Sequence, residues 1–123
     1  MQDNNTPSTD SESLLAAVSY FPFFSLVMIF IYNKRYFVKY NAGHAIIIYT
    51  LSLIFLISYI GIYSILRNIV TDLFMINVAW GLVFSFHLLI NFIYLLYCSV
   101  QAYLGRYMVV PIVTKIYYVL FNR

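Results

Sequence analysis

The chain has 123 residues, of which 63% are hydrophobic and 9% are charged, and its formal net charge is +3. A soluble domain is about 45–50% apolar and about 25% charged. This composition therefore excludes an ordinary soluble fold and favours an all-α membrane protein, in which each helix satisfies its own backbone groups. The single cysteine, Cys98, excludes an intrachain disulfide.

The first segment, residues 1–13, is polar and acidic and includes Asp3, Asp10 and Glu12. It has too few apolar side chains to form a core, so we expect it to be flexible. The remaining residues, 14–123, form a single membrane domain in this interpretation.

The first apolar run contains 21 uncharged residues between Glu12 and Lys34. A helix over residues 14–32 is long enough to cross a hydrocarbon core of about 30 Å. Pro22 lies inside it, and we expect a kink there rather than a break, since neighbouring groups in a membrane can satisfy the freed carbonyl.

A short basic loop with Lys34, Arg35 and Lys39 separates this run from the next one. The second helix is predicted over residues 42–66 and the third over residues 73–104, with a charge-balanced turn between them. The third run is too long for one perpendicular crossing and too short for two, so we expect one tilted helix. Three transmembrane helices place the N-terminus outside and the C-terminus inside a bacterial cytoplasmic membrane.

The tail over residues 107–121 is predicted to form a short interfacial helix. Pro111 suits a first helical turn, and Gly105 suits the cap that ends the third helix. The apolar residues after Pro111 recur at helical spacing, which is typical of a helix lying at the membrane surface.

Polar residues in the third run recur at steps of three and four, which places them on one helix face. They include Asn77, His87, Asn91 and Gln101, and the second run carries a matching face that includes Tyr49, Ser52, Tyr59 and Tyr63. Polar groups are costly against lipid, so both faces should contact protein. His87 and Asn91 fit either a hydrogen-bonded pair that aligns helices or a proton relay, although no intramembrane acid accompanies them.

The chain shows no phosphate-binding glycine loop, metal-ligand spacing or nucleophile–base–acid set. His44 and His87 lie at different depths, which argues against a shared haem. We therefore expect no enzyme activity, no cofactor and no metal. The expected partners are membrane lipids and other membrane-protein subunits or further copies of the chain, with no nucleic acid.

Three segments, residues 14–22, 37–45 and 105–111, resemble a widespread family of small bacterial membrane proteins of unknown function. That family is related to the Tic-twenty-like subunits of the chloroplast inner-envelope protein-import machinery. The matching positions are Phe37, Asn41, Ala42, His44, Ala45, Gly105 and Pro111. Asn41 stands where the family typically has histidine, and His44 stands where it has glutamine.

The resemblance implies three membrane helices and a non-catalytic role, and for the plastid relatives a part in a protein translocon. We therefore expect a membrane subunit that packs within a larger complex, with protein translocation as its candidate process. The alternative is a small transporter or proton-conducting component that uses His87 and Asn91.

Overall fold

The computed structural model describes residues 10–32 and 34–121, and all its regular elements in these parts are helices. They are α1 (Asp10–Val18), α2 (Phe24–Ile31), α3 (Tyr36–Ile69), α4 (Leu73–Tyr103) and α5 (Pro111–Phe121). Most of the segment expected to be flexible, residues 1–9, lies outside the described residues. Asp10–Ser13 already form the first turn of α1, so the expected flexibility does not extend to residue 13.

The two long helices form an antiparallel hairpin. α3 has 34 residues and α4 has 31, which corresponds to about 51 Å and about 46 Å of helix. Two helices of the described chain, and not three, are long and apolar enough to cross a membrane. The third apolar run forms one helix, as expected, but α3 begins six residues before the predicted start at residue 42.

The first apolar run does not form the single helix predicted over residues 14–32. It divides into α1, with nine residues, and α2, with eight, and neither is long enough to cross a bilayer. The break covers residues 19–23 between α1 and α2. It contains Pro22, which cannot donate a backbone hydrogen bond, and Phe23, which takes a left-handed conformation with φ of 68°. The predicted kink is therefore wrong, and the chain reverses direction at this point.

The turn between α1 and α2 stops well short of the far end of the long hairpin. Glu12, near the start of α1, forms an ion pair with Arg35 beside the start of α3, at 3.5 Å. Tyr20, after the end of α1, donates from its hydroxyl to Asn41 and accepts at its carbonyl from Tyr49. Tyr49 is only thirteen residues into α3, or about 20 Å along its axis.

The molecule therefore has two unequal parts. We call residues 10–32, 34–49 and 94–121 the base, and residues 50–69 and 73–93 the shaft. The base holds nearly all of the buried side chains, whereas Tyr59 is the only buried residue of the shaft. The 20 shaft residues of α3 extend about 30 Å, which matches the thickness of a hydrocarbon core.

Local signals fix where α4 begins and ends. The Asp72 side chain accepts from the backbone N–H of Met75, which is a typical N-cap. At the other end, Gly105 has φ of 73°. Its N–H donates to Ala102 and the next N–H donates to Gln101. This is a Schellman motif, in which glycine adopts the left-handed conformation without steric cost.

Candidate functional site

Asn41 lies at the contact between α1 and α3 and is fully buried. Its Oδ1 accepts from the Tyr20 hydroxyl at 3.0 Å, and its Nδ2 donates to the Phe37 carbonyl at 2.9 Å. Neighbouring Ala42 packs with Val38 and Met28 of α2. Asn41 therefore ties the α1–α2 pair to the first turns of α3.

His44 lies one turn further along α3 and connects that helix to α5. Its Nδ1 is 3.0 Å from the Tyr40 carbonyl and its Nε2 is 3.0 Å from Thr114 Oγ1. A carbonyl can only accept, so the neutral ring carries its proton on Nδ1 and accepts at Nε2. The same Thr114 oxygen accepts from the backbone N–H of Val110 at 2.9 Å, and this hydrogen bond ties the residue before α5 to the first turn of the helix.

Aromatic rings surround this polar contact. The Tyr117 ring lies 5.0 Å from the Tyr40 ring and 5.1 Å from the His44 ring, between centroids. Gly43 allows this approach, because a Cβ there would overlap the Tyr117 ring. The Phe37 and Tyr107 rings meet edge to face at 4.9 Å. The contacts of Phe37 with Tyr107 and of Tyr40 with Tyr117 are edge to face, which is a favourable arrangement for aromatic pairs.

Tyr107 lies in the connection between α4 and α5. Its hydroxyl is buried and has no hydrogen-bond partner among the described residues. Burial, followed by the nearby hydroxyls of Tyr36 and Tyr40, raises the pKa of Tyr107 to about 12. Burial also raises the pKa of Tyr117. Neither side chain therefore ionises near neutral pH.

A second polar group lies in the shaft. Ser52 Oγ is 3.1 Å from His87 Nε2. Asn91 Nδ2 is 3.0 Å from the same ring nitrogen and donates to the His87 carbonyl at 3.0 Å. The His87 ring also stacks on Phe55, with centroids 4.3 Å apart. All of these partners are neutral, so the group can align two helices without holding a charge.

Two more contacts continue this seam toward the end of the shaft. Tyr59 donates to the Trp80 carbonyl, and Tyr63 donates to Asn77 Oδ1. Together with the contact between Ser52 and His87, these contacts bring polar residues of the second and third apolar runs together. Gln101 is half-buried in the base and lies three helical turns from the His87 group along α4.

The motif positions lie together in the base. Phe37 and Ala45 are buried in its main cluster, with Asn41 and His44 on the same helix. Gly105 ends α4 and Pro111 begins α5, which brings the chain back over α3. Tyr20, Gly43, Thr114 and Tyr117 also shape this part of the base, and none of them was predicted as a site residue.

A cavity of about 480 Å³ lies where the α1–α2 turn meets α3 and α4. Its lining residues come from three places: Tyr20, Phe21 and Pro22 of the turn; Tyr49 and Ser52 of α3; and Leu88, Asn91, Phe92, Leu95, Leu96 and Ser99 of α4. Within residues 10–32 and 34–121, no group of three His, Cys, Asp or Glu side chains could hold a metal ion.

Comparison with protein-family models, curated proteins and solved structures finds no match to this chain. The resemblance to the Tic-twenty-like family therefore remains a prediction from the three motifs.

Proposed function

We propose that this chain is a non-catalytic membrane subunit with two transmembrane helices, which acts by packing against other membrane proteins. One observation carries the proposal: Ser52, Tyr59 and Tyr63 of α3 contact polar groups of α4, and apolar side chains cover most of the outer faces of the shaft. The exposed hydroxyls of Thr50, Ser58 and Ser64 donate to carbonyls of α3 itself. A shaft of this kind suits lipid or another apolar helix, because these hydrogen bonds are all made within the hairpin and need no outside partner.

The arrangement of charge supports an orientation. Five basic residues lie in the base, namely Lys34, Arg35, Lys39, Arg106 and Lys115, whereas at the far end Arg67 is balanced by Asp72. Basic residues favour the cytoplasmic side, and acids contribute little to orientation. We therefore assign the charged end of the base to the cytoplasmic side of a bacterial inner membrane, with the shaft crossing the bilayer and the turn between α1 and α2 inside its cytoplasmic half.

In this orientation the start of α1 lies on the cytoplasmic side, whereas the sequence predicted the N-terminus outside. The ion pair between Glu12 and Arg35 holds the start of α1 beside the start of α3. In the proposed orientation, α1 and α2 enter the membrane from the cytoplasmic side and return to it. The tail remains inside, with α5 packed on α3 instead of lying alone on the membrane surface.

Labelling of single cysteines tests this topology in intact cells, in a Cys98→Ala background. Asp10→Cys and Lys115→Cys should react only after the membrane is made permeable, whereas Thr71→Cys should react from outside. All three positions are exposed. Labelling of Asp10→Cys from outside would restore three crossings and contradict the proposed orientation.

The type of complex is proposed from the resemblance alone. Its motifs are similar to those of subunits related to protein translocation, so a translocation assembly is the candidate partner. The tagged chain, purified in mild detergent after cross-linking in the membrane, should carry at least one discrete partner chain. A single chain with no cross-linked neighbour would contradict a role as a subunit.

A further inference from the structure

The cavity beside the α1–α2 turn exists because that turn stops part of the way along the long hairpin. Tyr49 and Ser52 of α3 and residues 88–99 of α4 continue past the turn and form the cavity wall. These segments lie inside the uncharged runs 40–66 and 73–105. In the proposed orientation, which this inference takes as its starting point, the cavity lies within the bilayer.

The polar groups of the wall already have protein partners. Tyr49 donates to the Tyr20 carbonyl, and Ser99 donates to the Ala17 carbonyl at 2.9 Å. Ser52 and Asn91 both contact His87. A polar ligand would therefore find few free donors in the cavity, whereas an apolar ligand would leave these contacts intact.

The mouth of the cavity is apolar and open to its surroundings. Its lining residues Phe21, Phe92 and Leu96 are exposed. At this depth the surrounding medium of a membrane protein is hydrocarbon. We propose that the cavity binds one acyl chain of a bilayer phospholipid, which fills the space between the turn and α4.

The size of the cavity favours a single flexible chain over a protein segment. A volume of about 480 Å³ is within the range of ligand pockets. An α-helix with its side chains is about 10–12 Å across, so this volume accommodates little more than one helical turn. An acyl chain needs no internal hydrogen bonds and can follow the wall.

A photoreactive phospholipid tests the proposal. The probe is a phosphatidylcholine that carries a diazirine near the end of one acyl chain, mixed into phosphatidylcholine vesicles that contain the full chain. Phe92 lines the cavity and is 66% exposed, whereas Phe86 of the same helix does not line it and is 65% exposed. A bound chain should label Phe92 at least threefold more than Phe86, although both are equally accessible.

A matched pair of variants shows whether the label depends on the cavity. Leu96→Trp fills the mouth, whereas Ile93→Trp adds the same ring at a similarly exposed position outside the cavity. Leu96→Trp should reduce labelling of Phe92 to the level of Phe86, and Ile93→Trp should leave it unchanged. Circular dichroism of both variants checks that the helices are retained.

Equal labelling of Phe92 and Phe86 in the parent chain would overturn the proposal, as would a label that Leu96→Trp does not reduce. Cross-linking from the cavity to another polypeptide would assign it to a protein partner instead. The cysteine labelling described above tests the orientation separately. If Asp10→Cys reacts from outside while the Phe92 label survives, the topology is wrong but the lipid site stands.

Discussion

His44 Nε2 lies 3.0 Å from Thr114 Oγ1, and this contact joins the start of α3 to a helix 70 residues further along the chain. The Thr114 oxygen has two roles, because it donates to the ring and accepts from the backbone N–H of Val110. The buried His44 ring and the half-buried N–H of Val110 therefore depend on one hydroxyl. This contact makes the docking of α5 sensitive to a single atom.

Thr114→Val should loosen α5 by about 1 kcal/mol, since it removes the hydroxyl and leaves two groups without a partner. Lys115 is an exposed trypsin site in α5, so the rate of tryptic cleavage there reports docking. Cleavage should be faster in the variant. Thr50→Val is the matched control, because the Thr50 hydroxyl is exposed and bonds only to the carbonyl of its own helix. Equal cleavage rates in the two variants would contradict a role for Thr114 in docking.

Two glycines of α3 give a second comparison. A Cβ at Gly43 would overlap the buried Tyr117 ring, whereas a Cβ at Gly61 would meet nothing within 4 Å. Gly43→Ala should destabilise the base by about 1–3 kcal/mol through overpacking. Gly61→Ala should leave stability unchanged or raise it by up to ~1 kcal/mol through helix propensity. Unfolding in mixed detergent micelles measures both, and an equal effect would show that Tyr117 does not constrain Gly43.

Parts of this architecture could be predicted from the sequence. The step of three and four between polar residues predicted one polar face on each long helix, because a helix face is fixed by its period. In the structure Ser52 and Tyr63 of one face contact His87 and Asn77 of the other, although the sequence did not predict these pairs. Gly105 and Pro111 marked a helix end and a helix start, since glycine and proline act through local backbone geometry.

The first apolar run shows where such prediction ends. Length and composition are the same for one crossing helix and for two short helices that return to the same side. The left-handed conformation of Phe23 is unusual for a bulky residue, and no local sequence pattern predicts it. The acids before the run also suggested an outside start, but the pairing of Glu12 with Arg35 depends on the tertiary fold.

The contacts of Asn41 and His44 in the base could be predicted only in part, for a similar reason. Asn41 and His44 drew attention through a motif resemblance, whereas their partners Tyr20 and Thr114 are distant in sequence. No periodic pattern encodes which side of α5 docks on α3. Gly43 also gave no signal of its own, because a glycine inside a helix does not always mark a close approach: Gly61 and Gly81 meet nothing within 4 Å.

Tyr107→Phe should not destabilise the base, because the hydroxyl it removes is buried and without a partner in the described residues. The variant should instead reduce the sensitivity of the base to alkali. The pKa of Tyr107 is raised from 10.0 to about 12 in the folded chain. The unfolded chain therefore loses its proton first as the pH rises.

The stabilising contribution of a neutral Tyr107 is complete below pH 10 and is lost as the pH rises through about 12. Thermal unfolding in detergent at pH 8, 10 and 11 measures this dependence. The parent chain should lose stability over this range more steeply than Tyr107→Phe. Parallel curves would show that Tyr107 is ionised or solvated in the folded chain.

The last prediction separates the two interpretations of His87. Ser52 and His87 are coupled across the seam at 3.1 Å, and such contacts between membrane helices average about 0.6 kcal/mol in double-mutant cycles. A cycle with Ser52→Ala and His87→Ala should return a coupling of that size. His87→Gln should largely restore stability, because glutamine keeps a hydrogen-bonding group but does not titrate near neutral pH. If the site relays protons, reconstituted vesicles should show a pH-dependent flux that both His87→Ala and His87→Gln abolish. Since Ser52, Asn91 and Phe55 are all neutral, we expect no such flux, and its appearance in the parent chain with loss in both variants would replace the packing role with conduction.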